Sequence, residues 1–472
     1  MSVVKEPGTQ AKPSSSNADS PIHQRTLAVL YLTFYFPPLG GGGVQRALKF
    51  VKYLPEYGFE PVVVTGPGEQ RTRHAPLDAS LTSECPSGLR IFRVAQTLPQ
   101  DSRPDQFWRR LGYPSLFARA WVSSCQVAAL RAASSRKIDV ILASMSPFET
   151  SEAADLLSQK LGVPWVADLR DPWALDEMLI FPTRWHRARE LRRMHRRLSS
   201  SSLVIMNTPE AASALSLAFP DLSERTLAIT NGFDANDFLG DPLPRDDDRF
   251  RIVHTGSLHV GLGSAHRRRR RLRRWIGGER VPVDILARSH IYLLRALELW
   301  RRNHPGEVDR TELILAGDLS AADRAAVAES AVVELVRMPG YLSHSESVAL
   351  LRSADLLFLP LHNLPPGDRA RIVPGKTYEY LAAKRPILAA VPEGDARDFV
   401  LASGLGHVCE PNDPVAMAAI LHRRFEAKRA GQVPVPASAS FYRQFERRKL
   451  TEDLARALDS VVRSTHVSPG AE

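Results

Sequence analysis

Twice along this chain the same alternation begins. A short, wholly apolar strand ends in Gly, Pro, Asp or Ser, a stretch of helical periodicity follows, and another apolar strand comes next. Strands that are apolar on both faces must be covered on both faces, and parallel neighbours need a crossover, usually helical. The first series runs through TLAVLYLTFYFPP (26–38), GFEPVVVTG (58–66), IDVILAS (138–144), VPWVADL (163–169) and SLVIMNT (202–208). It restarts after the polar, proline-bearing segment DPLPRDDDRF (241–250). The second series is RIVHTGSL (251–258), ELILAGD (312–318), VELVRMPGYL (333–342), ADLLFLPL (354–361), RPILAAV (385–391) and GHVCE (406–410). The fold class expected is therefore α/β, with two doubly wound Rossmann-like domains facing a central cleft. Ligands in such sheets bind beyond the carboxyl ends of the strands.

The boundaries follow the restart. Residues 1–24 read as a disordered tail, 25–240 as the first domain and 241–439 as the second. Residues 440–472 contain an amphipathic helix expected to pack back across both. One stretch breaks the rhythm. Between the strand ending at Leu258 and the helical SHIYLLRALELWRR lie residues 260–288, with HRRRRRLRRW inside. Strand-to-helix turns are normally short, about 2–6 residues. Five consecutive arginines repel one another and resist burial without partners. The segment is expected to be a mobile insertion outside the core.

Charge and cysteine content narrow the function classes. The net charge is +10, and much of it sits in two arginine clusters, 184–197 and 266–274. Such an excess points to an anionic partner. The basic runs lack interleaved aromatics or a known module, so nucleic acid is not expected as a partner. The helical stretch 184–198 carries Trp185, Leu191, Met194 and Leu198 among its arginines. It reads either as a solvated basic face over a core stripe or as a contact with an anionic membrane. No apolar run approaches the roughly 18 residues of a membrane span. The first twenty residues lack the apolar core of a signal peptide. A cytoplasmic protein, peripheral at the inner membrane face at most, is expected. Cys85, Cys125 and Cys409 are too widely spaced for a zinc cluster, and no metal site is expected.

Three segments carry candidate chemistry. Gly40 to Gly43 lie between a strand and a helix start, where backbone N–H groups can approach an anion, with Gln45 and Arg46 in the first turn as further donors. The alternative is a plain flexible turn. ADLRDPW sets Asp168, Arg170 and Asp171 at a strand's carboxyl end, suited to general-base work or sugar hydroxyls; an ordinary salt bridge is the competing reading. In IVPGKTYEYLAAKRP, Gly375 and Lys376 open a helix and could hold a phosphate. Glu379, one turn on, could accept from a ribose diol, or be a solvated surface charge. Tyr341, after MPG, offers a ring to a flat base. His254 and His344 stand alone in sequence and read as structural.

Seven pieces in order resemble the GT-B glycosyltransferases of the large retaining family 4, bacterial branch. They are FYFPPLGGGGVQR, VPWVADLRDPW, NTPEAASAL with ITNGFDANDF, HTGSL, LILAGD, GYLSHSESVALLRSADLLFLPL and VPGKTYEYLAAKRPILA, covering roughly residues 26–465 without the insertion. The resemblance implies a nucleotide-sugar donor bound by the second domain and no cofactor. Glu379 looks like the second Glu of the family's Glu-x7-Glu signature, expected at the ribose. Gly41 and Gly42 look like the glycine loop near the donor diphosphate. Arg170 and Asp171 stand where many relatives carry a His-Asp pair. Two departures bear on the donor. Arg371 occupies the first Glu of the signature, which usually contacts the donor sugar. Ser257, after Gly256, stands where relatives often have an Arg; Lys376 with one of Arg288, Arg369 or Arg371 would substitute. Expected activities are sugar transfer to an envelope, polysaccharide, lipid-linked or small-molecule acceptor, with an epimerase of the same fold or a non-catalytic partner protein as alternatives.

Overall fold

The computed structural model describes residues 25–68, 77–94, 115–240, 242, 245 and 247–466. The expected tail, 1–24, lies outside them. The first domain is a parallel sheet of order β3-β2-β1-β4-β5-β6-β7. Its strands are β1 (Leu27–Thr33), β2 (Phe59–Thr65), β3 (Arg90–Arg93), β4 (Val140–Met145), β5 (Trp165–Leu169), β6 (Leu203–Met206) and β7 (Thr226–Ala228). Helices α1 (Gly42–Tyr53), α2 (Leu116–Ser135), α3 (Thr150–Leu161), α4 (Arg184–Ser199) and α5 (Pro209–Ala218) cover it. The second sheet, order β10-β9-β8-β11-β12-β13, is also parallel. It comprises β8 (Phe250–Thr255), β9 (Thr311–Ala316), β10 (Val336–Gly340), β11 (Leu356–Pro360), β12 (Ile387–Ala390) and β13 (Gly406–Cys409). Its helices are α6 (Val260–Trp275), α7 (Ile291–Asn303), α8 (Ala321–Ala328), α9 (His344–Arg352), α10 (Gly375–Ala383), α11 (Asp395–Ala402) and α12 (Pro414–Arg429). The two doubly wound domains expected from the alternation are present. Sequence reading missed β3 and β7, which are short, half-exposed edge strands without an apolar run.

The chain crosses back at its end. Tyr442 and Phe445 belong to the core of the second domain. Helix α13 (Arg447–His466) then lays Leu450, Leu454, Leu458 and Val462 against Val44, Leu48 and Val51 of α1 in the first. Two backbone hydrogen bonds fix the crossing: Phe233 N–H donates to Phe445 O, and Arg447 N–H to Phe233 O. The domains are also joined by polar contacts. Glu177, fully buried, accepts from His362 Nε2 at 3.0 Å and from the Arg371 backbone N–H at 3.0 Å.

Residues 260–288 differ from expectation. Described residues at both ends of the segment are packed into the second domain. Helix α6 buries Val260 and His266, and the segment after it buries Val283, Ile285, Leu286 and Ala287. A Cβ on Gly263 would lie 2.4 Å from the Leu286 Cα, so the helix sits directly on that segment. His266 Nε2 meets the buried Glu279 at 2.9 Å, and Arg267 pairs with Asp284. At the start of the arginine run Arg267 is held by Asp284 and Tyr292, while Arg268 and Arg269 are exposed to solvent.

Asp168 also corrects its sequence reading. It is fully buried in β5 and pairs with Arg46, only 1% exposed, through Nη2 at 2.6 Å and Nε at 3.0 Å. Arg46 Nη1 donates to Thr230 O. The pair ties α1 to β5 and to the strand-end loop after β7 beneath the cleft. Neither side chain lines the cleft, so Asp168 is not available as a base, nor Arg46 as an anion donor. Removing one member of a buried pair strands the other charge, typically at a cost of about 3–5 kcal/mol. Asp168→Ala is expected to lower unfolding stability by about that amount in a denaturant titration. A loss below about 1 kcal/mol, the range of exposed pairs, would show that the ion pair does not hold the domain.

Candidate active site in the interdomain cleft

The carboxyl ends of both sheets open on one cleft of about 730 Å³. Of the residues singled out from sequence, Gly41, Gly42, Arg170, Asp171, Gly256, Ser257, Tyr341, Gly375, Lys376 and Glu379 line it. Gln45 does as well. Asp168 and Arg371 do not: Arg371 lies against Glu177 between the domains, with Nη1 at 3.9 Å from Oε2. Arg369 is drawn off by Glu210 and Asp398. Of the three arginines considered as partners of Lys376, Arg288 is the one in the cleft. The segment read as a loose insertion delivers it.

Lys376 is the centre of the arrangement. It stands in the first turn of α10, whose start has no side-chain cap, leaving free backbone N–H groups at the cleft. His254, fully buried in β8, donates from Nδ1 to Phe358 O at 2.9 Å. Burial, and next the Lys376 charge, hold its pKa well below the usual value, so it is neutral. Its Nε2 therefore carries a lone pair and accepts from Lys376 Nζ at 3.1 Å. The ammonium takes up space left by the absence of a side chain at Gly256. With φ at +100°, a Cβ there would be strained and only 2.8 Å from Nζ. Gly317 clears the space behind, since a Cβ on it would meet Gly256 O at 2.6 Å. Burial, followed by the Arg288 charge, lowers the Lys376 pKa to about 7.

Around this cation stand carboxylates of different character. Burial raises the pKa of Glu379 in α10. His344 Nε2 meets Asp237 at 2.8 Å. Burial opposes its charge, yet that hydrogen bond and the Glu379 carboxylate keep its pKa above the ordinary value. On the first-domain side, Arg170 packs over the Tyr35 ring and donates to Gly43 O. A Cβ on Gly43 would come within 2.7 Å of Arg170 Nη1, so that glycine admits the guanidinium. Asp176, beyond the ADLRDPW motif, also lines the cleft; burial, then Glu177 and Asp171, push its pKa to about 7. Sequence reading stopped at Asp171 and missed Asp176, although it lies in the same loop.

Glu84, Asp234 and Asp237 come close enough together to hold a cation. Two ammonium groups already serve them: Lys49 lies 2.8 Å from Asp234, and Lys52 lies 3.0 Å from both Asp234 and Glu84. A second cluster, His304, Glu307 and His422, is outside the cleft. His304 and Glu307 are three residues apart, but His422 is distant in sequence, and spacing alone did not reveal the cluster.

No family model matches the chain. Over 162 residues it is 30% identical to a glycogen synthase of Mycobacterium tuberculosis, a match spanning 34% of this chain and 34% of that protein. The chain thus corresponds to about a third of the length of that curated relative. Among solved structures, Anabaena HepE in complex with UDP-glucose superposes with a TM-score of 0.57, at 16% identity, over 92% of this chain and 100% of that one. A glycosyltransferase from Rickettsia africae has a TM-score of 0.59, at 11% identity, over 93% and 99%. At such identities the likeness is one of fold, that of GT-B glycosyltransferases with two Rossmann-like domains.

The shifted amine carries a measurable consequence. An anion bound beside this amine would favour the charged form of Lys376. Affinity should be greatest below pH 7 and fall as pH rises through the free amine's pKa, with proton uptake on binding near neutrality. Calorimetry of inorganic pyrophosphate binding in buffers of different ionisation enthalpy reads that uptake. Lys376→Met should remove the protein's share; equal uptake in both proteins would contradict the assignment.

Proposed function

We propose that the protein is a glycosyltransferase that moves a sugar from a nucleotide-sugar donor, with retention and without a required metal. The carrying observation is the cationic pocket of Lys376, Arg288 and the α10 N-terminus, with the Glu379 carboxylate one turn further on. The donor diphosphate lies on the cations and the free N–H groups, which stabilise it as it departs. Glu379 accepts from the ribose, and Tyr341 flanks the base. Gly41 and Gly42 approach the diphosphate from the other domain. Arg170 and Asp171 face the sugar and acceptor, with Asp176, poised near neutrality, as a further acid or base. The local identity to a glycogen synthase and the fold shared with a UDP-glucose complex support this reading. The acceptor is an envelope, polysaccharide, lipid-linked or small molecule. An epimerase of the same architecture would bind the same donor and is distinguished by its product, an isomerised nucleotide sugar without net transfer.

Loss of a hydrogen bond to a charged group typically costs about 1.5–3 kcal/mol. Glu379→Ala is expected to weaken nucleoside diphosphate binding by about that amount in titration calorimetry; unchanged affinity would remove Glu379 from the donor site. Exhaustive chelation should leave transfer intact, because ammonium and guanidinium groups neutralise the diphosphate. Activity abolished by chelation and restored by manganese or magnesium would contradict the metal-free reading.

A further inference from the structure

The two arginine clusters are far apart in sequence and belong to different domains, yet the fold joins them. Phe181 N–H donates to Gly278 O at 3.0 Å and Arg184 N–H to Ile276 O at 3.1 Å. Arg187 Nη1 donates to Glu279 O at 2.9 Å. Close contact is built in: a Cβ on Gly278 would lie 2.2 Å from Phe181 O. The amino end of α4 is thereby docked against the carboxyl end of α6. Trp185 and Trp275 lie one residue to either side of the Arg184–Ile276 hydrogen bond. They are 54% and 84% exposed.

The basic side chains divide by direction. Arg193 and Arg197 are neutralised inward by Glu149, Glu190 and Glu152. Arg184, Arg192 and Arg196 on α4, and Arg268 and Arg269 on α6, are exposed. Among the described residues none of these five has a carboxylate within ion-pair distance. Arg189 lies over the Trp185 ring, His186 meets its edge and Arg192 donates to Ala188 O, yet these contacts leave both indoles and the five guanidinium groups at the surface. From this surface two segments lead to the cleft: one runs back from Trp185 to Met178 and Asp176, the other forward from Trp275 to Arg288.

We infer that this bipartite surface docks the protein on an anionic phospholipid membrane. Guanidinium groups match lipid phosphates bidentately, and each basic residue near a negative surface adds attraction that salt screens. Indole rings prefer the headgroup boundary, where an apolar body and a polar N–H are both satisfied. Charge alone would also suit a nucleic acid; two exposed indoles at the meeting point of two basic helices favour lipid. The membrane contact stands on these residues. Its use in presenting a lipid-linked acceptor to the cleft rests on the transfer reading above.

The test is co-sedimentation of the full chain with phosphatidylcholine vesicles, with and without phosphatidylglycerol, over a salt series. Binding is expected only with phosphatidylglycerol, weakening as salt rises, with a blue shift of tryptophan emission. Trp185→Ala with Trp275→Ala, and separately Arg192→Glu with Arg196→Glu, should each lower partitioning by roughly tenfold or more. Their melting temperatures and UDP affinities should match the parent protein. Absence of binding to phosphatidylglycerol vesicles would overturn the proposal, as would binding that neither pair of substitutions reduces. So would retention on single-stranded DNA that competes fully with vesicles and ignores the tryptophan substitutions. UDP affinity, measured without vesicles, reports on the donor site separately, so failure of one reading is distinguishable from failure of the other.

Discussion

An amine drawn partly out of water, with no carboxylate in contact, holds its proton less firmly, and this fold places one at Lys376. The residue against it is a neutral imidazole, His254, whose tautomer is fixed by its bond to Phe358 O. The Arg288 guanidinium acts against its charge, and the Glu379 carboxylate offsets that only in part. Such a site is relieved by an anion. The uncapped start of α10 lines the same cleft; a Cβ on residue 256 would crowd the ammonium, and one on residue 317 would crowd the Gly256 backbone. The rest of the cleft is arranged around that amine.

The arrangement follows from topology. Within each all-parallel sheet the crossovers bring the carboxyl ends of the strands to one side. The crossing at Phe233, Phe445 and Arg447 then makes the two open edges face each other. Helix α13 belongs by packing to the first domain and by sequence to the end of the second. Below the cleft, the Arg46–Asp168 pair fixes α1, and with it the glycine run at its start, relative to β5 and its Arg170–Asp171 loop. At the domain boundary Glu177 satisfies His362 and the Arg371 backbone together. Arg371, which stands where a donor-sugar carboxylate is expected by resemblance, is thereby assigned to holding the domains.

The parallel strands and the Pro-Gly-Lys helix start were legible because they are local: an apolar run and a turn residue leave their mark within ten residues. What escaped the sequence depends on distant partners. Asp168 looked like Asp171 because both follow a strand, and only Arg46, from another element, separates the buried ion-pair member from the cleft residue. Arg288 could not be chosen over Arg369 and Arg371 until Glu210, Asp398 and Glu177 were seen to engage the other two. Counting charges in the arginine run of α6 ignores what flanks it: Asp284 and Tyr292 take up Arg267, and Val260 and His266 of the same helix are buried.

The central claim is that Lys376 and the α10 N-terminus form a site for a nucleotide-borne diphosphate. The most direct measurement is a melting-temperature screen of the parent protein and Lys376→Met against nucleoside diphosphates and their sugar conjugates, since a ligand that binds the folded state raises the midpoint. The account predicts that at least one nucleotide series stabilises the parent protein and that the shift is lost in Lys376→Met. Absence of any shift across the panel, or a shift of the same size in both proteins, would contradict it.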